Sequence, residues 1–195
     1  WGSPMNNNSD KAIKVIVAIT GASGALYGRE TLRQLAALDN IRHIALVFSE
    51  NGSKVYDYEK VMDIPVSSKI EVFENHDLFA APSSGSAGYQ AMFITPCSMG
   101  TMAAVASGLA STLIQRAADV QLKERKTLIC MTREAPLSLI HLENMEKITR
   151  AGGIVFPASP FFYHHPKDMQ SAVSALVSRM LSFAGLNAPE IEWGK

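Results

Sequence analysis

The chain has 195 residues, 47% of them hydrophobic, and 18 Lys+Arg against 18 Asp+Glu leave a formal net charge of zero. That size suits one domain with a sizeable core, and the even balance provides no basic surplus for nucleic acid or for an anionic membrane surface. Two cysteines make no disulfide framework, no apolar run nears a membrane span and no apolar h-region opens the chain, so a cytoplasmic protein is expected. Trp1-Gly2-Ser3-Pro4 ahead of Met5 reads as an expression scar, and residues 1–11 as a disordered leader before one domain over 12–195.

The first predicted strand covers 14–19 (Lys-Val-Ile-Val-Ala-Ile) and is followed by a helix over 25–38. A second strand at 44–48 precedes a helix over 53–62, and 70–73 alternates like a strand at a sheet edge. Residues 74–89 have no clear period and contain Pro82-Ser83-Ser84-Gly85-Ser86, the composition of a mobile surface loop. Strands at 91–94, 128–131 and 154–156 then alternate with helices over 99–106, 113–125, 138–151 and 168–183. Apart from the edge candidate, no strand alternates apolar with polar, which is the pattern of strands buried on both faces of a parallel sheet. Gly152-Gly153 and Gly185 fall where helix C-caps belong. The order predicts one α/β domain with a doubly wound, mostly parallel sheet of Rossmann-like, flavoprotein type.

Ligands in such sheets bind beyond the carboxyl ends of the strands. Each strong strand here runs into a segment too small, polar or Pro-rich for ordinary packing: 20–28, 49–52, 95–101, 132–136 and 157–165. In the first, glycines and Ser23 stand between a strand and a helix start, a setting whose free amides attract a phosphate. Its glycines fall at 21, 24 and 28 rather than as G-x-G-x-x-G, and no acidic residue ends the second strand, so FMN fits better than NAD. A tight turn without ligand is the alternative. Ser98-Met99-Gly100-Thr101 opens a second helix in the same manner, with an ordinary N-cap as its plain reading. Cys97 and Cys130 read as small buried hydrophobes, and no metal-ligand spacing is present. Arg133 directly after a strand suits an anion. Arg116 and Lys123 share a helical face, where pairing with Asp119 is the ordinary account, and Arg179 borders a core stripe.

These segments resemble the UbiX flavin prenyltransferases over about 13–193. The carrying motifs are G-A-S-G-x-x-Y-G at 21–28, P-C-S-x-x-T at 96–101, R-A-A-D-V-x-L-K-E-R at 116–125, R-E-A-P-x-x-x-x-H-L at 133–142 and F-Y-H-x-P at 162–166. Related cysteine decarboxylases carry P-A-S-A-N-T where this chain has Pro157-Ala158-Ser159-Pro160-Phe161-Phe162. The resemblance implies transfer of a dimethylallyl unit from dimethylallyl phosphate to N5 and C6 of reduced FMN, giving prenylated FMN for UbiD-type decarboxylases, commonly in ubiquinone synthesis. A direct FMN-dependent aromatic acid decarboxylase and a flavin carrier without chemistry are the competing readings.

By resemblance, Gly21, Ala22, Ser23, Ser49, Ser98, Met99, Gly100, Thr101 and Arg133 would hold FMN. Arg116, Lys123, Tyr163 and Arg179 would bind the donor. Ser23, Glu59 and Glu134 would move protons, and a homododecamer would place its sites at subunit contacts. The absence of a D-D-x-x-D motif agrees with a monophosphate leaving group neutralised by side chains rather than by a metal.

Overall fold

The computed structural model describes residues 12–61 and 63–186. The expected leader lies outside the described residues. Six strands, β1 (Ile13–Ile19), β2 (Ile41–Phe48), β3 (Ile70–Phe73), β4 (Ala91–Cys97), β5 (Thr127–Thr132) and β6 (Ile154–Pro157), form one sheet in the order β3-β2-β1-β4-β5-β6. Every pairing is parallel, so all the carboxyl ends emerge on one edge.

The unbroken apolar run of β1 follows from burial on both faces. Val15, Val17 and Ile19 point into a core shared with α1 (Ala25–Ala37) and α6 (Met169–Ser182). Ile16 and Ala18 point into a second core beneath α3 (Met99–Ala106), α4 (Leu113–Lys123) and α5 (Leu139–Arg150). Burial of such side chains contributes about 1.5–3 kcal/mol each. β3 borders β2 alone, as expected of the alternating strand, and Glu71 and Val72 are exposed.

Most element boundaries lie within a residue or two of the sequence pattern, because capping residues mark them. Ser138 and Asp168 close capping boxes at the starts of α5 and α6, and Gly152 and Gly185 follow those helices with positive φ. Four expectations need correction. The strand expected at 44–48 is β2, which begins at Ile41, because buried Ile41 pairs with Ile13 although Arg42 and His43 interrupt the apolar run. The helix expected over 53–62 is α2 (Glu50–Tyr58), starting earlier because the Ser49 hydroxyl accepts a hydrogen bond from the Gly52 amide; Met62 lies outside the described residues. β4 continues through Thr95-Pro96 to Cys97, three residues beyond the apolar run.

Residues 74–89 are packed rather than free, with 3-10 turns at Ala81–Ser83 and Gly85–Ala87. Asn75 accepts from the Leu113 and Ile114 amides, while Lys14, Arg116 and Lys126 donate to the carbonyls of Ala87, Ser83 and Gly85. Ala80, Pro82 and Tyr89 are buried.

α2 meets the end of β1 without a side chain between them. A Cβ on Gly52 would stand 2.1 Å from the Ile19 carbonyl oxygen, and backbone on both sides has no room to yield. Gly52→Ala should lower stability by about 2 kcal/mol despite the better helix propensity of Ala. The urea midpoint at fixed protein concentration checks this, with a downward shift as the expected outcome.

Candidate active site

Hydrogen bonds lash the segments at the carboxyl edge together. Thr20 is the central knot: its hydroxyl donates to the Pro96 carbonyl at 2.8 Å and accepts from the Ser98 amide at 2.8 Å. The Ser49 amide donates to Ile19 O at 3.0 Å, and the Ala158 amide to Thr132 O at 2.8 Å. Arg133 Nε reaches back from β5 to Ser23 O at 3.0 Å. Thus all five unusual segments meet at one edge.

The electrostatic focus is Glu59, just past α2. Its carboxylate accepts from the Gly24 amide at 3.0 and 3.1 Å and from the Ala25 amide at 2.8 Å, and it is hydrogen-bonded to the Ser23 side chain. Burial pushes this carboxyl up. The Ser23 and amide hydrogen bonds and the nearby Arg133 charge outweigh burial and hold the group below the usual carboxylate range. Glu59 is therefore ionised at neutral pH. It also corrects one expectation: the α1 amides that suggested a phosphate cradle already face this carboxylate.

The start of α3 remains suited to a phosphate. Ser98 Oγ accepts from the Thr101 amide at 3.3 Å and donates to Thr101 Oγ1 at 3.0 Å, while the first-turn amides of Met99 and Gly100 have no intrahelical acceptor. A Cβ on Gly100 would meet nothing within 4 Å, so the backbone borders open space that a flat or anionic group can approach. These residues fit FMN. Gly21 and Ala22 sit in the β1–α1 turn beside them, with Gly21 closely packed on Asn51. Ser49 caps α2 at this edge. Glu134 is exposed beside Arg133, its carboxylate accepting from the Ala135 amide at 3.1 Å. Cys97 and Cys130 are buried; a hydrogen bond to Cys130, then burial, pushes the Cys97 thiol well up, which disfavours a thiolate nucleophile.

A cleft of about 1120 Å³ adjoins this cluster, bounded by Ser23, Glu59 and Tyr27 on one side and by Phe162, His165 and Gln170 on the other. The sequence points to Ser23, Glu59 and the 157–165 segment among its walls, but not to Lys60 or Gln170, which belong to no motif. Sequence reasoning also missed the joining role of Thr20, although a threonine ending a buried strand beside a glycine turn was an available signal. Tyr163 stands on the loop above, 40% exposed and stacked on Phe161 at 4.8 Å between ring centroids.

Of the other residues expected to bind the donor, Arg116 lies in the first turn of α4, whereas Lys123 and Arg179 lie further from this cluster within one chain. α4 starts at the carboxyl edge, where Leu113 meets Asn75, and runs back along the sheet, so Lys123 lies about 15 Å further on, towards the amino edge. Its ammonium pairs with Glu124, whereas Arg116 makes the expected bond to Asp119 at 2.7 Å. α6 likewise runs back from β6, and Arg179 follows its first residue by about 15 Å, with its guanidinium 5.1 Å from the Phe183 ring centroid. α4 and α6 pack on opposite faces of the sheet.

The fold and this edge define a flavoprotein of the doubly wound type, and the family model described as Flavoprotein matches residues 4–183. The flavin prenyltransferase UbiX of Methanocaldococcus jannaschii is 39% identical over 185 residues, covering 93% of this chain and 99% of the relative. The mitochondrial flavin prenyltransferase PAD1 of Saccharomyces cerevisiae is 40% identical over 178 residues, covering 90% of this chain and 72% of the relative. The crystal structure of AnUbiX (PadA1) with FMN and dimethylallyl pyrophosphate superposes with a TM-score of 0.88 at 37% identity, covering 95% of this chain and 99% of the other. The chain belongs to the UbiX flavin prenyltransferase family.

Glu59→Gln should cost about 1–2 kcal/mol at pH 7, the worth of a charged cap on helix amides. Because the folded-state carboxyl is held low, that stability is fully present above the unfolded value of about 4.5 and is lost as pH falls through the folded value. Denaturation midpoints of the two proteins should differ at pH 7 and draw together as the pH falls from the unfolded value of about 4.5 through the lower folded one.

Proposed function

We propose that the chain transfers a dimethylallyl group from dimethylallyl phosphate to N5 and C6 of reduced FMN, releases phosphate, and supplies the prenylated FMN to a UbiD-type decarboxylase. The observation that carries the reading is the joining of Ser23, Glu59 and Arg133 at the carboxyl edge, beside a large partly apolar cleft. Bound reduced FMN would supply the electron-rich ring that accepts the prenyl group.

The protein's share of the chemistry follows from its own groups. Met99 and Gly100 amides with the Ser98 and Thr101 hydroxyls would take the FMN phosphate, and Gly21, Ala22, Ser23, Ser49 and Arg133 would line the flavin. Ionised Glu59, hydrogen-bonded to Ser23, can accept a proton through that hydroxyl and return it. Glu134, exposed beside Arg133, would take the proton lost when the second bond closes. Loss of an allylic phosphate separates charge, so cations and donors must grip the departing oxygens; Lys123, Tyr163, Arg179 and Arg116 have that chemistry.

Since Lys123 and Arg179 lie towards the opposite edge from Ser23 on their own chain, they would reach a site from other copies. Supporting this, both ring nitrogens of His164, next to Tyr163, are shut from solvent without a hydrogen-bond partner among the described residues. Unmet buried polar atoms cost about 1–3 kcal/mol each, which a neighbouring copy or ligand at this loop would relieve. A UbiX-like structure from Escherichia coli O157:H7, 37% identical with a TM-score of 0.86, is described as dodecameric. We assign this chain the same homododecameric assembly, in the cytoplasm, where its two free buried cysteines would remain reduced.

Anaerobic incubation with reduced FMN and dimethylallyl phosphate should give a prenyl adduct in the mass spectrum of the extracted flavin; unchanged FMN, or carbon dioxide released from an aromatic acid by this protein alone, would defeat the reading. Glu134→Gln should leave FMN affinity within about twofold while slowing turnover at least tenfold, as expected of a proton-transfer group. Assemblies mixed from Glu134→Gln and Lys123→Ala chains should regain about a quarter of wild-type activity if the two residues serve one site from different copies, whereas a site closed within one chain would regain none.

A further inference from the structure

Among the described residues, Glu30 is the only carboxylate shut from solvent, and the chemistry above makes no use of it. It sits on α1 where that helix packs against α6. Its Oε1 accepts from Arg33 Nη2 at 2.6 Å and from Gln34 Nε2 at 2.8 Å. Its Oε2 accepts from Arg33 Nε at 2.8 Å and from Gln170 Nε2 of α6 at 3.0 Å. Burial pushes the carboxyl up, but hydrogen bonds with Arg33, Gln34 and Ser174 and the Arg33 charge hold it below the usual range. Gln34 carries the network onward. Its Nε2 also donates to the Ser174 carbonyl at 2.9 Å and to Ser174 Oγ at 3.2 Å, and its Oε1 accepts from Ser178 Oγ at 2.9 Å.

Gln170, Ser174 and Ser178 stand four residues apart, so they form one polar stripe along α6, matched to Glu30 and Gln34 on α1. A buried charge gives up its hydration, and well-packed apolar side chains would hold two helices as firmly. What the network adds is register. The aliphatic neighbours Leu32, Leu35, Val173 and Leu176 tolerate a slide along the helix axis better than hydrogen bonds, which weaken steeply once distance and angle depart from their optimum. Register matters at both ends of α6. Asp168 caps its first turn five residues after Tyr163, and Arg179 follows Ser178 in its last turn. α1 is itself fixed at its start by Glu59, beside Ser23.

Resting on the assignment of Tyr163 and Arg179 to the prenyl donor, we propose that Glu30 is a positioning residue for dimethylallyl phosphate. Through Gln34, Ser174 and Ser178 it fixes α6 against α1, and so sets where Tyr163 and Arg179 stand relative to the flavin turn. One buried carboxylate thereby serves two reaction centres, its own chain's by way of the Tyr163 loop and a neighbouring copy's by way of Arg179. Glu30 moves no proton in the reaction; it acts only through α6.

The test separates position from stability. In Glu30→Met/Gln34→Leu the carboxylate and its amide partner become apolar side chains of similar volume, and the serine hydroxyls can bond to carbonyls one turn back, as Ser178 does to Ser174 O at 3.0 Å. The urea midpoint should be no lower than wild type, with the same assembly size on size-exclusion chromatography. Calorimetric titration of protein holding oxidised FMN, which does not turn over, should show dimethylallyl phosphate bound about tenfold more weakly, with FMN affinity within about twofold. Ser178→Ala, which removes one bond of the network, should weaken the donor about threefold. Donor affinity that is unchanged in the double variant, or that falls only in step with the midpoint or with loss of the assembly, would overturn the positioning role. Donor affinity unchanged in Tyr163→Phe and in Arg179→Ala would instead remove the donor assignment, and this inference with it.

Discussion

A single carboxylate at the start of α1 organises this molecule. Glu59 comes from the end of α2 yet satisfies the first amides of α1, and in doing so it pins the β1–α1 turn to the neighbouring layer. Removing its charge would leave helix amides unmatched and Arg133 without its nearby counter-charge. On the proposed reading the same carboxylate, kept ionised by those contacts, would be the proton acceptor behind Ser23. Structural support and proton chemistry would then depend on one group, which would constrain any substitution there from two directions.

The rest of the site is built by tying strand ends to one another rather than by burying a rigid catalytic core. Thr20 connects β1 with β4, Arg133 connects β5 with the β1 turn, and Ser49 extends the connection to β2. Polar groups at a parallel sheet's carboxyl edge would otherwise compete for water. Here they satisfy each other and leave the first α3 amides and Glu134 open.

How much of this was legible in the sequence differed by type of feature. Doubly buried strands announce themselves as continuous Val- and Ile-rich runs, so the sheet and its functional edge could be read directly. Arg133 stood out because a guanidinium immediately after such a strand needs an anion. The α2 start was missed because Ser49 was read as a ligand contact when it is also a cap. Residues 74–89 looked mobile because their hydrogen bonds go to Lys14, Arg116 and Lys126, partners remote in sequence that no local period reveals. Glu59 was found through family resemblance alone, since nothing local predicts that its partners lie 34 and 35 positions earlier.

The antiparallel run of α4 and α6 against the strands has a wider consequence. If a neighbouring copy lends Lys123 and Arg179, then an isolated polypeptide is only a fragment of a reaction centre, and output depends on association as well as on folding. Dilution would silence it without denaturing it. Surface positions along the far ends of these two helices would then drift as slowly in evolution as pocket-lining ones, because a change there harms someone else's chemistry.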